Sequence, residues 1–269
     1  FYFKNDVHLK DPDRDIYTDS LLYNIKTNTA TFIAQTKIIG KDGTVINTKS
    51  GTYNLGTGEA VFTDGASFKD STRSGSAKEI AYDKKNNTLQ MRGNAKLVDS
   101  VNKVLVLAGE IYSDLNQNSF LASRKPVMIL HRDGDSTYIA ADTLFSGLRK
   151  YDSLERKMVT QKDTLKTALV VQANDKDSSI RYFIGFHNVR IFNDSLQAVS
   201  DSLHYSTIDS TFKLFGEPVV WNDKSQVTGD TLLMYTQNQK PKRLYVFNNG
   251  MIINRTKEGM FNQIAGRTL

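Results

Sequence analysis

The residues able to carry chemistry are few in this chain. Four histidines, His8, His131, His187 and His204, are spread over 269 residues, and there is no cysteine. Without cysteine there is no disulfide, no thiolate zinc site and no thiol nucleophile. No two histidines have the i, i+4 spacing that puts both imidazoles on one helix face for zinc, and no glutamate completes such a motif. His187 falls at the small-residue position of a strand. There it reads as a satisfied edge or core histidine, with a slot-facing position as the alternative. A G-x-S-x-G elbow, a P-loop and a dinucleotide fingerprint are all missing, and the glycines are scattered at turns.

Carboxylates recur just ahead of an aromatic strand: Asp19, Glu110, Asp142, Asp201 and Asp230. Repeated calcium binding is one reading. With no D-x-D-x-D-G loop beside them, they are expected instead to accept hydrogen bonds from the turn entering each strand. The more basic stretches, "KDSTRSGSAK" (69–78) and "KPKR" (240–243), could meet phosphates, and solvated turns explain them equally well. Lys plus Arg is 35 against 29 Asp plus Glu, a formal charge of +6, which tolerates an anionic partner without demonstrating one. Aromatics fall mainly on the apolar stripe rather than among basic residues, so a nucleic-acid partner is not expected. A carbohydrate-active enzyme would need two carboxylates on facing strands near exposed aromatics, and nothing singles out such a pair.

The elements that would position these groups show a repeat. Five alternate positions recur, apolar at the ends and small or polar in the middle, as in Phe1, Phe3, Asn5, Val7, Leu9 and in Leu89, Met91, Gly93, Ala95, Leu97. Copies start at 1, 30, 60, 89, 120, 183, 212 and 244. Between them lies a second element ending in an aromatic: "DSLLY" to Tyr23, "SGTY" to Tyr53, "EIAY" to Tyr82, "GEIY" to Tyr112, "ADTLF" to Phe145, "DSLHY" to Tyr205 and "DTLLMY" to Tyr235. Turn-forming stretches such as "NLGTGE" and "DKKNN" separate the two. A fixed period of about 30 residues with period-2 alternation predicts strand–turn–strand units stacked into one elongated antiparallel all-β array over 1–269. The alternate face, carrying Lys4, Asp6, Gln35, Lys37, Arg92, Asn94, Lys96, Asn188, Arg190 and Glu217, should be wet.

The gap from 120 to 183 holds one extra unit's length, which residues 147–179 supply as an insertion. It breaks the alternation and reads as a surface loop. The helical spacing of Leu148, Tyr151, Leu154 and Met158 leaves a short helix as the alternative. Both ends cut through a unit, so the chain reads as a segment of a longer array. Composition, with 39% hydrophobic and 24% charged residues, is that of a globular chain. No apolar run reaches the roughly 18 residues of a membrane span. There is no N-terminal Met and no signal peptide, as expected for a processed chain or an internal piece.

The pairing of D-S-L-x-Y with an A-x-F-x-G-x-V-x-L strand resembles the OstA-like family of lipopolysaccharide-transport proteins. That family includes the periplasmic bridge protein LptA, LptC and the N-terminal domain of LptD. "RYFIGFHNVRIF", "DSLHY" and "EPVVWND" look most like the OstA-like variant of Bacteroidetes. The resemblance covers nearly all of the chain except 147–179. It departs at the mid-strand Gly, which is Asn5, Ala34, Asp64, Arg124 or His187 in most copies and puts the uniformity of a groove in question.

What the resemblance implies is a β-jellyroll, or β-taco, whose inner face forms an apolar slot open along one side. Lipid acyl chains would travel in the slot, and modules would stack through their terminal strands. It implies a non-enzymatic periplasmic protein in lipopolysaccharide transport to the outer membrane, without cofactor or metal. Its partners would be lipopolysaccharide or another acylated lipid, other transport proteins at the terminal edges, and further copies of itself end to end. The slot lining would be Phe32, Ile38, Phe62, Phe68, Met91, Leu97, Val189, Ile191, Leu214, Val220, Val246 and Ile252. The same residues would equally line the filled core of a structural or interaction module, a spacer or an adhesin.

Overall fold

The computed structural model describes residues 1–132, 135–150, 179–206, 211–222, 224–237 and 240–269. Within them every regular element is a strand, and all 24 strands join one sheet with antiparallel pairings throughout. Long strands such as Tyr2–Asp11, Arg14–Asn24, Thr88–Asp99, Val104–Asp114 and Leu196–Ser206 each contribute to two facing layers. They cross from one layer to the other at a sharp corner near their middle. Elsewhere the same path is taken by pairs of short strands, such as Ala60–Thr63 followed by Ala66–Lys69.

The corners explain the small or polar residue at the centre of each five-position copy. Seven of them carry two successive residues in the left-handed region: Asn5–Asp6, Asp64–Gly65, Gly93–Asn94, Arg124–Lys125, His187–Asn188, Gly216–Glu217 and Asn248–Asn249, with φ between 48° and 91°. L-residues avoid this region because Cβ crowds the following carbonyl, and Gly, Asn, Asp and His tolerate it best. The ladder skips register at these points, for example between Arg92 and Ala95 and between Phe186 and Val189. The central position is therefore a hinge between layers and not part of a groove wall. Its variation from Gly to Asn, Asp or His leaves the groove unaffected. The copy centred on Ala34 turns without a positive φ.

Each layer presents an unbroken inward row across the ladder. In one arm it runs Phe3, Leu21, Phe32, Gly51, Phe62, Ile80, Met91, Ile111, Ala122, Leu144, Gly185, Leu203, Leu214, Leu232, Val246. A second row of this arm, nearer the free ends of the hairpins, includes Tyr23, Tyr53, Tyr82 and Tyr205, so we call it the tyrosine arm. The facing aliphatic arm runs Leu9, Ile16, Ile38, Ile46, Phe68, Gly75, Leu97, Val106, Met128, Ile139, Ile191, Ala198, Val220, Val227, Ile252. Strands spaced about 4.8 Å apart make this ladder roughly 70 Å long. The hydrophobic core is one continuous cluster drawn from both arms.

All ten residues expected on the wet face are exposed. Of the seven aromatics closing the second element, Tyr112, Phe145 and Tyr235 face outward, because Ile111, Leu144 and Met234 take the inward places beside them. Two strands extend into the segment read as an insertion. Thr143–Lys150 pairs with Ser179–Asn193, setting Gly147 opposite Tyr182 and Lys150 opposite Ser179. Leu148, read as a helical position, lies on the first of these strands, while Tyr151, Leu154 and Met158 lie outside the described residues. The stretch 69–78 is a hairpin and not a loop, with strands Ala66–Lys69 and Arg73–Ala77 around a tight turn. Residues 240–243 likewise open the strand Lys240–Arg255.

Candidate functional site: an apolar cleft between the arms

The corners close one side of the folded sheet. On the other side the hairpin turns of the two arms face each other, and between them opens a cleft of about 630 Å³. The tyrosine arm supplies Phe62, Ile80, Tyr82, Leu89, Phe120 and Phe183 to its walls; the aliphatic arm supplies Ile38, Ile46, Phe68, Leu97, Val104 and Val106. The size is that of small-molecule sites, and the walls are as apolar as those usually are. Phe32 and Phe62 stack with ring centroids 6.5 Å apart at its inner end.

Charged groups ring the mouth: Asp13, Arg14, Lys41, Asp42, Asp70, Arg73, Lys84, Asp99 and Arg181. Arg14, Arg73 and Arg181 each stand two residues ahead of an inward position, Ile16, Gly75 and Phe183. The alternation that buries those residues therefore turns the arginines toward the cleft. Lys84, from a turn of the tyrosine arm, reaches over the mouth to Asp13, from a turn of the aliphatic arm, with Nζ 2.8 Å from Oδ2. That hydrogen bond, and then the charge of Lys84, lowers the pKa of Asp13; the same bond raises that of Lys84. The pair is thus ionised at neutral pH, and falling pH protonates Asp13 only below the ordinary carboxylate range. The Arg181 Nη1 donates to Ser146 Oγ at 3.0 Å and to the Asn118 carbonyl at 3.3 Å, and burial pulls its pKa down.

Of the residues expected to line a slot, Ile38, Phe62, Phe68 and Leu97 line this cleft. Phe32 and Met91 are buried beside it. Ile191, Leu214, Val220 and Val246 lie on the same inward rows and Val189 beside them, all at most 2% exposed, beyond a lining that ends at Phe183, and Ile252 is half-buried. Sequence reasoning flagged Arg73 only within the basic stretch 69–78, and missed Arg14, Arg181 and Lys84. For Arg14 the available signal was an arginine two places ahead of an apolar inward position, just after a turn.

The recurring carboxylates sit on the outer side of the corners. Asp142 accepts from Asn188 Nδ2 and Asp230 from Asn249 Nδ2, both at 2.9 Å. Asp201 accepts from Ser202 Oγ at 2.6 Å and lies 2.9 Å from His187 Nδ1. Glu110 meets Arg92 at 3.2 Å and Arg124 at 3.4 Å. Asp19 accepts from Ser20 Oγ at 2.8 Å. Their donors are thus neighbouring side chains, several from the left-handed corner pairs, rather than the backbone of an entering turn. Among the described residues no group of three His, Asp or Glu side chains could hold a metal.

His187 itself projects from its corner into solvent and not into the slot. The hydrogen bond that His187 donates to Asp201, and then that residue's charge, raises its pKa. A raised folded-state pKa stabilises the corner below the ordinary histidine range and loses that contribution as pH rises through the raised value. Solvent screening keeps the contribution small. An NMR titration should find His187 above an ordinary histidine, falling back in Asp201→Asn. No change on that substitution would refute the pairing.

Fold and site together define a β-taco: a folded-over antiparallel sheet with two apolar inner rows and a cleft opening along its free side. Residues 1–74 match the family model described as OstA-like protein. That match takes in Ile38, Phe62 and Phe68 of the cleft floor and Arg14, Lys41 and Arg73 of its rim, and it agrees with the resemblance carried by the repeats. No curated protein matches the chain.

Proposed function

We propose that this chain is a non-enzymatic lipid-binding module of lipopolysaccharide transport, shielding acyl chains from water between the inner and outer membranes. The observation that carries this reading is the apolar cleft between two continuous inward rows, open laterally and rimmed by charge. A packed β-sandwich fills that space. A lipid carrier holds it open, and burying a chain there is favourable by about 25 cal/mol per Å² removed from water. A periplasmic place follows from the same reading; among the described residues no helix is long and apolar enough to cross a membrane.

The partners follow from the ends of the ladder. Tyr2–Asp11 and Phe261–Thr268 are each paired on one side, and Phe1, Phe3, Phe261 and Ile264 are exposed beside them. An open strand edge is a template for another strand. Further rungs, from other transport proteins or another copy, fit there.

Photo-crosslinking amino acids test the reading. Placed at Phe62 and Leu97, they should capture lipopolysaccharide at least about tenfold more than at Lys37 or Arg92 on the outer face. Equal capture on the two faces would sink the slot. Leu214 is fully buried beyond the cleft lining. Capture at Phe62 but not at Leu214 would favour the alternative in which that part of the array is a filled spacer.

A further inference from the structure

The geometry points to Arg14 as the anchor for the acidic group of an amphiphile whose chain lies on the cleft floor. This assignment rests on the lipid-binding reading and adds to it the chemical class of the ligand: a chain bearing a carboxylate or phosphate, in preference to a neutral one.

Arg14 opens the strand Arg14–Asn24, and its guanidinium crosses the cleft to stack 4.6 Å from the ring centroid of Tyr53 on the opposite arm. Its Nε is buried and has no hydrogen-bond partner. A buried unsatisfied guanidinium N–H is costly and rare, and a planar two-oxygen acceptor is the group that fits its fork.

Among the described residues no acid around the mouth forms an ion pair with Arg14, and each has a partner of its own. Asp13 is bound by Lys84 at 2.8 Å. Asp11, opposite Arg14 in the hairpin, accepts the Asp13 N–H at 2.9 Å. Asp42 accepts the Thr44 N–H, Asp70 the N–H groups of Thr72 and Arg73, and Asp99 the N–H of Asn102. Asp11, Asp42, Asp70 and Asp99 are thus turned into their own tight turns. Among the described residues no rim carboxylate is bonded to Arg14, while Ile38, Phe62 and Ile80 provide an apolar bed within the same cleft.

Three probes of equal chain length test the assignment: dodecanoate, dodecyl phosphate and dodecanol, titrated calorimetrically into the full chain. The wild-type protein should bind both anions more tightly than the alcohol. Arg14→Gln should weaken the anions roughly 10- to 100-fold, the worth of a charged hydrogen bond, and leave the alcohol unchanged. Arg14→Lys keeps the charge but not the fork, and should retain part of the preference. Dodecanoate against dodecyl phosphate tells a carboxylate site from a phosphate site. Equal binding of all three probes, or anion binding unchanged in Arg14→Gln with its thermal melt intact, would overturn the assignment alone. If Arg14→Gln does not fold, Arg14→Lys carries the test, and no loss of anion preference there would overturn the fork. Failure of all three probes on the wild type would overturn the lipid-binding reading along with it.

Discussion

Gly51→Ala should destabilise the protein by about 3 kcal/mol or more, lowering its melting temperature by roughly 6–12 °C. Gly51 stands in the inward row between Phe32 and Phe62, in register with both. Its missing side chain lets those two rings approach to 6.5 Å over it. Its φ is +149°, and a Cβ there would collide with the Val61 carbonyl oxygen and lie 2.9 Å from the Phe62 Cα. Those atoms belong to the paired backbone of the next strand and cannot swing aside like the end of a side chain. Gly43 and Gly65 provide the control. Both have positive φ, at 83° and 91°, but nothing lies within 4 Å of a Cβ placed on either. Their alanine variants should lose only the conformational cost of about 1 kcal/mol. Chemical denaturation separates the cases, and a Gly51→Ala loss no larger than the controls would refute the close approach.

A covalent strap across the mouth should slow lipid loading about tenfold or more, as closing a lid does. Lys84 Nζ and the Asp13 carboxylate, 2.8 Å apart, are placed for a carbodiimide to join them as an amide. As an ion pair they are about half exposed, so the contact opens readily and lets a chain enter from the side. As an amide they hold the two arms together over the cleft that Arg14 and Phe62 line. Mass spectrometry identifies the joined peptides, and Lys84→Gln, which cannot form the amide, controls for modification elsewhere. Lipid uptake at an unchanged rate in the strapped protein would show that chains do not enter between Lys84 and Asp13.

Much of the fold was legible because strand burial is a local property. Leu89, Met91, Ala95 and Leu97 alternate with Gln90, Arg92, Asn94 and Lys96, and that alternation alone says which side chains leave water. Repetition about every 30 residues then places Phe32, Phe62 and Met91 on one row. The corner was harder to read. Asn5, Asp64, Gly93 and His187 share no polarity or size that marks a slot position; what they share is tolerance of a left-handed backbone, a property of dihedrals rather than of burial. "KDSTRSGSAK" looked like a basic loop because Gly75 and its serines have little apolar character. Gly75 is nonetheless an inward position, where a Cβ would press on the Phe68 ring and lie 2.9 Å from the Met91 Cε of the other arm.

By itself the sequence determined an all-β repeat with one apolar and one wet face, since a period-2 pattern has only one way to bury its apolar half. Tertiary structure alone decided where the sheet folds over, which inward residues line open space, and which charges meet at the mouth. Lys84 and Asp13 are 71 residues apart, and Arg14 meets Tyr53 across the gap between two arms. Such meetings depend on strand register and on the angle of the corner, which arise only when the whole ladder pairs.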